Sequence, residues 1–126
     1  MRMELLLEAL NASWDRETAY WADRKEWTVE KKETGQCTIT AIIVFDYFGG
    51  KIFRGKSEKY NLLHYWNEID GVKIDLTFNQ FVGGKDDINF IKIVEKQKSD
   101  LLKIVNVRQR YEILKKKVES YLSEHS

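Results

Sequence analysis

Hydrophobic residues are densest in the stretch from residue 35 to residue 50, GQCTITAIIVFDYFGG. Residues 41–45 run without a polar break, and this pattern predicts a helix buried inside the fold, because a helix on the surface keeps a polar face. The stretch is too short, and too closely flanked by charged residues, to cross a bilayer. Gly49 and Gly50 are predicted to end the helix, since glycine adopts the left-handed conformation that closes it.

The N-terminal residues also repeat apolar positions at helical spacing. Leu6, Leu10 and Trp14 fall on one face, which predicts a helix over residues 3–14. A second helix is predicted to begin at Ser13, because a serine followed by acidic residues is typical of a helix start.

The same spacing recurs near the C-terminus, over residues 106–122, and predicts a long amphipathic helix. Asn106 is its predicted N-cap, since an asparagine side chain accepts a hydrogen bond from the N–H groups of a first turn. The lysines at 115–117 predict a solvated face near the end of this helix, where the macrodipole favours cations. Farther upstream, the polar residues 23–34 predict a loop, with Trp27 as its large apolar anchor.

Alternating and β-branched residues predict a sheet in the middle of the chain. The predicted strands cover residues 51–54, 62–69, 72–77 and 88–95. The last of these does not alternate strictly, so a helix remains an alternative there. Asp70-Gly71 is the signal for a type I′ hairpin between the second and third strands. Loops are predicted over residues 55–61 and 78–87.

Together these elements predict a single α+β domain over residues 1–126. N-terminal helices and a buried central helix pack on an antiparallel sheet of three or four strands, and a C-terminal helix closes the domain. The chain has 126 residues, of which 43% are hydrophobic and 33% charged, which is typical of one globular domain and not of a disordered chain.

Charge and cysteine content narrow the expected partners and compartment. The net charge is +1, so we expect neither a nucleic-acid nor a membrane partner. One cysteine cannot form an internal disulfide, and this favours a reducing compartment, the cytoplasm. Glu4 and Glu8 interrupt the apolar N-terminus, so we interpret it as a helix of the mature fold and not as a signal peptide.

The predicted hairpin brings a histidine and an aspartate together. If Asp70 begins the two-residue turn, Glu68 stands opposite Lys73, and their complementary charges support this register. His64 and Asp75 are then diagonal neighbours on one face, with Cα atoms about 7–8 Å apart, within reach of their side chains.

The two faces of this hairpin differ in polarity. One face carries His64, Trp66, Glu68, Lys73, Asp75 and Thr77 and is predicted to be polar. The other carries Leu63, Tyr65, Asn67, Ile69, Val72, Ile74 and Leu76 and is predicted to face the core.

Cys37 is the only cysteine and lies in the first turn of the predicted central helix. The unpaired N–H groups and the positive end of the helix macrodipole both favour thiolate over thiol at such a position. A thiolate nucleophile needs an imidazole that takes and returns a proton, and a carboxylate that orients the imidazole. The other histidine, His125, lies in the C-terminal tail, so a catalytic Cys37 implies His64 as its base and Asp75 as the carboxylate.

Other residues are candidates for supporting roles. An oxyanion site can be built from the Cys37 backbone N–H and a second donor, for which Gln36 is the nearest candidate. Trp27 and Trp66 are candidate pocket residues, although for Trp14, Trp21 and Trp27 we favour core packing over a substrate wall.

We expect no metal and no cofactor. One cysteine and one well-placed histidine fall short of the ligands of a structural zinc site. The glycine pairs at 49–50 and 83–84 lack the spacing and the lysine of a phosphate-binding loop.

Several segments resemble known families. GQC…TA…V…DYFGG, HYWN-x-I-x-G and IDLT-x-x-QF resemble the YunG-like family of small bacterial proteins, as does Arg110-Tyr111 near the C-terminus. More distantly, a cysteine at a helix N-terminus followed by H-x-W-N-E…G…D-x-T on consecutive strands resembles the transglutaminase-like and papain-like cysteine hydrolase superfamily. This second resemblance implies a core of that type, with Cys37, His64 and Asp75 as its catalytic triad.

Two hypotheses follow for the function. The first is a thiol enzyme that hydrolyses or transfers the acyl group of an amide, ester or thioester, with an unidentified small-molecule or peptide substrate. The second is a non-catalytic binding or interaction domain on the same scaffold, in which Cys37 is simply a buried small residue. The sequence leaves the oligomeric state open.

Overall fold

A buried helix lies between a four-stranded sheet and a pair of helices in the computed structural model, which describes residues 1–59, 61–77 and 89–125. The elements in chain order are α1 (Met3–Ser13), a short 3-10 helix (Trp21–Asp23), α2 (Cys37–Phe48), β1 (Lys51–Ser57), β2 (Leu62–Ile69), β3 (Val72–Ile74), β4 (Phe90–Lys96), α3 (Lys98–Leu101) and α4 (Val105–Glu124). The predicted α+β class is confirmed.

Helix α2 forms the centre of the core, as its apolar sequence predicts. The residues that it buries are Ile39, Thr40, Ala41, Ile42, Ile43 and Val44. One side of α2 packs on β1 and β2, and the other on α4, which in turn packs on α1. The helix ends at the predicted position, where the N–H of Gly49 donates to the Phe45 carbonyl oxygen at 2.8 Å and Gly49 has a φ of 71°.

The sheet is antiparallel throughout, in the order β3-β2-β1-β4. Asp70 and Gly71 both have positive φ, 51° and 78°, as a type I′ turn requires. The predicted register of this hairpin is confirmed, because Glu68 pairs with Lys73.

Two strand boundaries differ from the prediction. β1 continues to Ser57, beyond the predicted residues 51–54, because it is a central strand with partners on both sides. β3 ends at Ile74 and not at residue 77, so the hairpin ladder stops at the pair Asn67–Ile74. The strand predicted near residue 88 is confirmed as β4, while the loop predicted over residues 78–87 lies outside the described residues.

The prediction that a second helix begins at Ser13 is wrong. The Ser13 hydroxyl donates to the Ala9 carbonyl oxygen at 2.6 Å inside α1, so it caps no new helix. The chain turns instead at Asp15, whose Oδ1 accepts a hydrogen bond from the Thr18 backbone N–H at 2.9 Å. An aspartate favours such a turn because its side chain bonds the backbone a few residues on.

Three further expectations about single residues need correction. Trp21 is 61% exposed and not in the core, whereas Trp14 and Trp27 are buried as expected. Asn106 is not the N-cap of α4, because that position is held by Ile104, and the Asn106 side chain accepts instead from Arg110. Lys117 forms an ion pair with Asp15, so the lysines at 115–117 are not all simply solvated.

The predicted polarity of the hairpin faces is only half right. Tyr65 and Asn67 point toward α2 as expected, but Leu63 and Val72 on the same face are 50% and 58% exposed. The opposite face, predicted to be polar, buries His64 completely beneath aromatic side chains. No helix within the described ranges is both long and apolar enough to cross a membrane.

Candidate active site

Cys37 lies at the N-terminal end of α2, as predicted. Gln36 is the N-cap, and the first bond of the helix runs from the Thr40 N–H to the Gln36 carbonyl oxygen at 3.0 Å. The N–H groups of the first turn, including that of Cys37, therefore have no partner within the helix. Cys37 is a free thiol and is only partly buried.

The loop before Cys37 is held by contacts with distant parts of the chain. Gly35 has a φ of 74°, and a side chain there would place Cβ 2.9 Å from the Tyr20 nitrogen. Its carbonyl oxygen accepts hydrogen bonds from the Tyr20 N–H at 2.9 Å and from the buried Arg110 guanidinium at 3.4 Å. Arg110 also donates to the Thr18 carbonyl oxygen at 3.2 Å, so α4 fixes the approach to Cys37.

His64 and Asp75 form the closest polar contact of the candidate site. His64 Nε2 and Asp75 Oδ2 are 2.7 Å apart, and His64 is fully buried. Because β3 ends at Ile74, Asp75 leaves the sheet edge, and its carboxylate reaches His64 from outside the ladder. Asp75 Oδ1 accepts from the Thr77 backbone N–H at 3.3 Å and is 3.4 Å from its hydroxyl, contacts that orient the carboxylate.

The Cys37 thiol completes this arrangement. It forms hydrogen bonds with the His64 side chain and with the Tyr65 backbone N–H. Because Nε2 of His64 is bonded to Asp75, we assign the contact with the thiol to the other ring nitrogen, Nδ1. The structure therefore joins the three predicted residues in one chain of contacts, from Cys37 through His64 to Asp75.

The protonation states of the thiol and the imidazole depend on each other. Burial raises the pKa of the Cys37 thiol, but the hydrogen bond with His64 and its positive charge outweigh burial, so this pKa lies below its ordinary value. Burial likewise lowers the pKa of His64, but its hydrogen bonds with Asp75 and Cys37 outweigh burial and raise it from 6.5 to about 9. Both shifts favour a thiolate beside an imidazolium near neutral pH.

A buried amide connects the two elements that carry the thiol and the imidazole. Asn67 Nδ2 donates to the Ala41 carbonyl oxygen at 2.9 Å. Asn67 is on β2 with His64, and Ala41 is on α2 with Cys37, so this bond helps to fix the distance between the two reacting side chains.

The supporting candidates lie in different places. Trp66 is 6% exposed and packs on the outer face of the sheet, with its ring centroid 6.3 Å from that of His64. Among the described contacts, Trp27 packs under Arg16 and donates to the Lys32 carbonyl oxygen at 2.9 Å, away from the thiol. Gln36 is fully buried, and its Nε2 donates to the Asp15 carbonyl oxygen at 3.0 Å.

A groove of about 620 Å³ runs along α1 to Asp75. It is lined by Glu4, Leu7, Glu8, Asn11, Trp14, Glu33, Asp75 and Leu76. Trp14 connects the groove to α2, because the indole Nε1 donates to the Thr40 hydroxyl at 2.9 Å. The lining combines apolar side chains with several carboxylates.

Several contributors to the site were not predicted. The D-x-T spacing of Asp75 and Thr77 is a local signal that predicts a turn in which the aspartate accepts from the backbone. Arg110 gave no such signal, because its contacts with the loop before Cys37 join residues far apart in the chain.

The sequence pattern of the family described as YunG protein matches residues 2–123, so the chain belongs to this family. A relative from Bacillus subtilis (strain 168), described as uncharacterized protein YunG, is 37% identical over 79 residues. The alignment spans 63% of this chain and 63% of the relative's length. No solved structure matches the chain.

Proposed function

We propose that this protein is a cysteine hydrolase or acyl transferase in which Cys37 is the nucleophile, His64 the general acid and base, and Asp75 the group that orients His64. The observation that carries the proposal is the unbroken contact chain, with 2.7 Å between His64 Nε2 and Asp75 Oδ2 and the thiol bonded to the same ring. A buried imidazole has two ring nitrogens to satisfy, and here the partners are a carboxylate and a thiol, the combination that thiol activation requires.

The proposed reaction begins with attack of the Cys37 thiolate on the carbonyl carbon of an amide, ester or thioester. A C–S bond forms, and the electron pair of the carbonyl moves onto its oxygen. When this intermediate collapses, the bond to the leaving group breaks and the leaving group takes the proton from His64 Nδ1. The product of this half is an acyl-enzyme thioester on Cys37, with a neutral imidazole.

The second half restores the ion pair. A water molecule attacks the thioester and gives a proton to His64 Nδ1, and the Cys37 thiolate leaves as the carboxylic acid is released. If an amine or alcohol replaces water, the same steps transfer the acyl group. Asp75 accepts a hydrogen bond from Nε2 throughout, which stabilises the imidazolium and keeps Nδ1 directed at the thiol.

The oxyanion of both intermediates is proposed to bind at the N-terminus of α2. The Cys37 backbone N–H belongs to the first turn, where the macrodipole also favours negative charge. A second donor from Gln36 stays a prediction. Its amide already donates to Asp15, so only the remaining hydrogen on Nε2 is left for an oxyanion.

The order of these groups supports a papain-like or transglutaminase-like core as part of the proposal. The nucleophile begins a buried helix, the histidine follows on an antiparallel strand, and the aspartate comes after the next hairpin. This arrangement agrees with the motif resemblance, although fold alone does not carry function.

The reactivity of the thiol tests the proposal. Alkylation of Cys37 by iodoacetamide at pH 7, followed by intact mass, is expected to be about tenfold or more faster than that of free cysteine, which is only a few per cent thiolate. His64→Gln should remove this advantage, while Cys37→Ser shows that no other group reacts. A wild-type rate equal to that of free cysteine and unchanged in His64→Gln would reject the enzyme hypothesis.

The complete burial of His64 favours the second candidate, a non-catalytic interaction domain in which the histidine is structural. On that hypothesis Cys37→Ala changes stability alone. Incubation with an activated ester such as p-nitrophenyl acetate distinguishes the two: a burst of p-nitrophenol with an acetyl group on Cys37, absent in His64→Gln, counts against the non-catalytic domain.

A further inference from the structure

The flat face of the His64 ring is covered by an aromatic ring from β4. The centroids of His64 and Phe90 are 5.5 Å apart, and their planes differ by 15°. Trp66 flanks the same imidazole at 6.3 Å and 30°, and packs against Phe90 at 4.9 Å. These rings lie on the outer face of the sheet, opposite α2, and neither of them contributes to the contacts with Cys37 and Asp75 described above.

A glycine makes room for this stack. Gly55 on β1 pairs directly with His64 on β2. A Cβ atom at Gly55 would lie 2.7 Å from the Trp66 ring, closer than such contacts occur, and 3.0 Å from the Phe90 Cβ, which is unusually tight. Any side chain there would push the rings away from the imidazole, so the stack depends on glycine at this position.

We propose that Phe90 is a positioning residue for the proposed reaction: its ring face holds the imidazole of His64 in the plane that connects Asp75 to Cys37 and stabilises the imidazolium form. The catalytic importance of Phe90 rests on the proposed function. The effect of its ring on the pKa of His64 can be measured without any substrate.

Two physical effects support this role. The hydrogen bonds with Asp75 and Cys37 hold the edge of the imidazole, and a nearly parallel ring whose centroid lies 5.5 Å away opposes tilting of the imidazole out of the plane of those bonds. In addition, the negative face of an aromatic ring attracts a cation, so stacking favours imidazolium over imidazole.

Other charges act on the same imidazole. Among the described residues, Asp75 and the Cys37 thiolate favour the imidazolium directly. Lys73 opposes it, because its ammonium lies 5.1 Å from the Phe90 ring centroid and 4.5 Å from that of Trp66, and thus competes for the same aromatic groups. A change at Phe90 leaves these three charges in place, so its effect on His64 is separable from theirs.

The experiment measures the pKa of His64 by NMR on histidine-labelled protein, together with the pH profile of Cys37 alkylation. Phe90→Leu keeps an apolar side chain without the ring and is expected to lower the pKa of His64 by roughly 0.5–1 unit. Phe90→Tyr keeps the ring and should give nearly the wild-type value. Val94→Ala, at an exposed position of the same strand, is the matched control and should change nothing.

A third replacement guards against loss of the fold in Phe90→Leu. Site-specific 3,4,5-trifluorophenylalanine at position 90 keeps the shape of the ring but weakens its negative face, so the pKa of His64 should fall by a smaller amount in the same direction. An unchanged pKa in both the leucine and the fluorinated proteins, each folded, overturns the inference.

These outcomes separate the inference from the proposed function. An ordinary, slowly reacting thiol in the wild type rejects the enzyme hypothesis, while a fall in the pKa of His64 in Phe90→Leu still establishes the stacking effect. A reactive wild-type thiol whose pH profile is the same in Phe90→Leu leaves the enzyme hypothesis standing and rejects the role of Phe90.

Discussion

Cys37 and His64 determine each other's charge, and Asp75 biases the pair toward its ionic form. The pKa of the thiol lies below its ordinary value, and that of the imidazole is raised to about 9. Over the interval between these two values the thiolate and the imidazolium coexist. Because His64 is buried and Cys37 only partly so, a small change in one hydrogen bond shifts both equilibria.

The first prediction concerns the pH dependence of this pair. The alkylation rate of Cys37 should stay high at pH values below the ordinary thiol pKa of about 8.5, because the pKa of this thiol is lowered, and should fall at lower pH as the thiolate takes a proton. Acyl transfer should fall on the alkaline side near pH 9, where His64 loses its proton. His64→Gln should move the acidic limb of alkylation back toward the ordinary thiol value; an unmoved limb contradicts the coupling.

The second prediction concerns stability. Because the pKa of His64 rises from 6.5 to about 9 on folding, the stability that this shift contributes is complete below pH 6.5 and is lost as pH rises through 9. Asp75→Asn removes a charged hydrogen bond to a buried group, so it should cost roughly 1.5–3 kcal/mol below pH 6.5 and clearly less above pH 9. Urea unfolding at the two pH values measures this difference.

Asp70→Asn is the matched control for Asp75→Asn. Asp70 is exposed in the hairpin turn, where asparagine suits the positive φ equally well. Its unfolding free energy should stay within about 0.5 kcal/mol of the wild type at both pH values. A cost of Asp75→Asn that does not depend on pH would mean that His64 is neutral in the folded protein.

Helix α2 and strand β2 must keep a fixed separation for the thiol to reach the imidazole. Packing of apolar side chains between them does not specify one axial position, since neighbouring positions bury similar area. The hydrogen bond from Asn67 to the Ala41 carbonyl oxygen does specify one axial position, because an amide buried in the core has few alternative partners. Gly35 and Arg110 add a second restraint at the start of the helix.

The third prediction tests this restraint. Asn67→Ala removes the buried bond and leaves a small cavity, so the free energy of unfolding should fall by about 1–3 kcal/mol. Alkylation of Cys37 should also slow at neutral pH, since the thiol loses its alignment with His64. Gln109→Ala, an exposed amide on α4, should alter neither quantity. Loss of stability with an unchanged alkylation rate would show that packing alone positions the thiol.

The molecule as a whole is nearly neutral, yet its charges are unevenly placed. Net charge is +1, while Glu4, Glu8 and Glu33 line the groove beside Asp75. Lys32 brings a positive charge to this groove, because its ammonium donates to the carbonyl oxygen of Asn11, a lining residue, at 3.4 Å. Carboxylates along a concave surface raise the local concentration of cations, and the effect weakens with salt.

The fourth prediction uses the thiol as a probe of this field. A positively charged methanethiosulfonate reagent should modify Cys37 faster than a negatively charged one of similar size, and the ratio should shrink at high salt. Glu33→Gln should reduce the ratio, whereas Glu112→Gln on the exposed face of α4 should not. Equal rates for the two reagents at low salt would indicate that the groove does not influence access to the thiol.

Local patterns of the chain were sufficient for α2, for the Asp70-Gly71 turn and for the pairing of Glu68 with Lys73. The hairpin register also predicted that His64 and Asp75 are neighbours, but as residues of two paired strands, whereas Asp75 follows the end of β3 in the structure. The helix, the turn and the Glu68–Lys73 pair depend on residues a few positions apart, where helical or strand periodicity and turn chemistry act directly.

Features that bring together residues distant in the sequence could be identified only from the folded structure. The burial of His64 depends on Phe90 and on space left by Gly55, and the early end of β3 lets Asp75 reach the imidazole from outside the ladder. The exposure of Trp21 and the contact of Arg110 with Gly35 also depend on residues that are distant in the sequence. The periodicity of the sequence predicts which face of a strand or helix a side chain lies on. Which residues cover that face depends on the packing of segments that are distant in the sequence, and a short stretch of sequence does not reveal that packing.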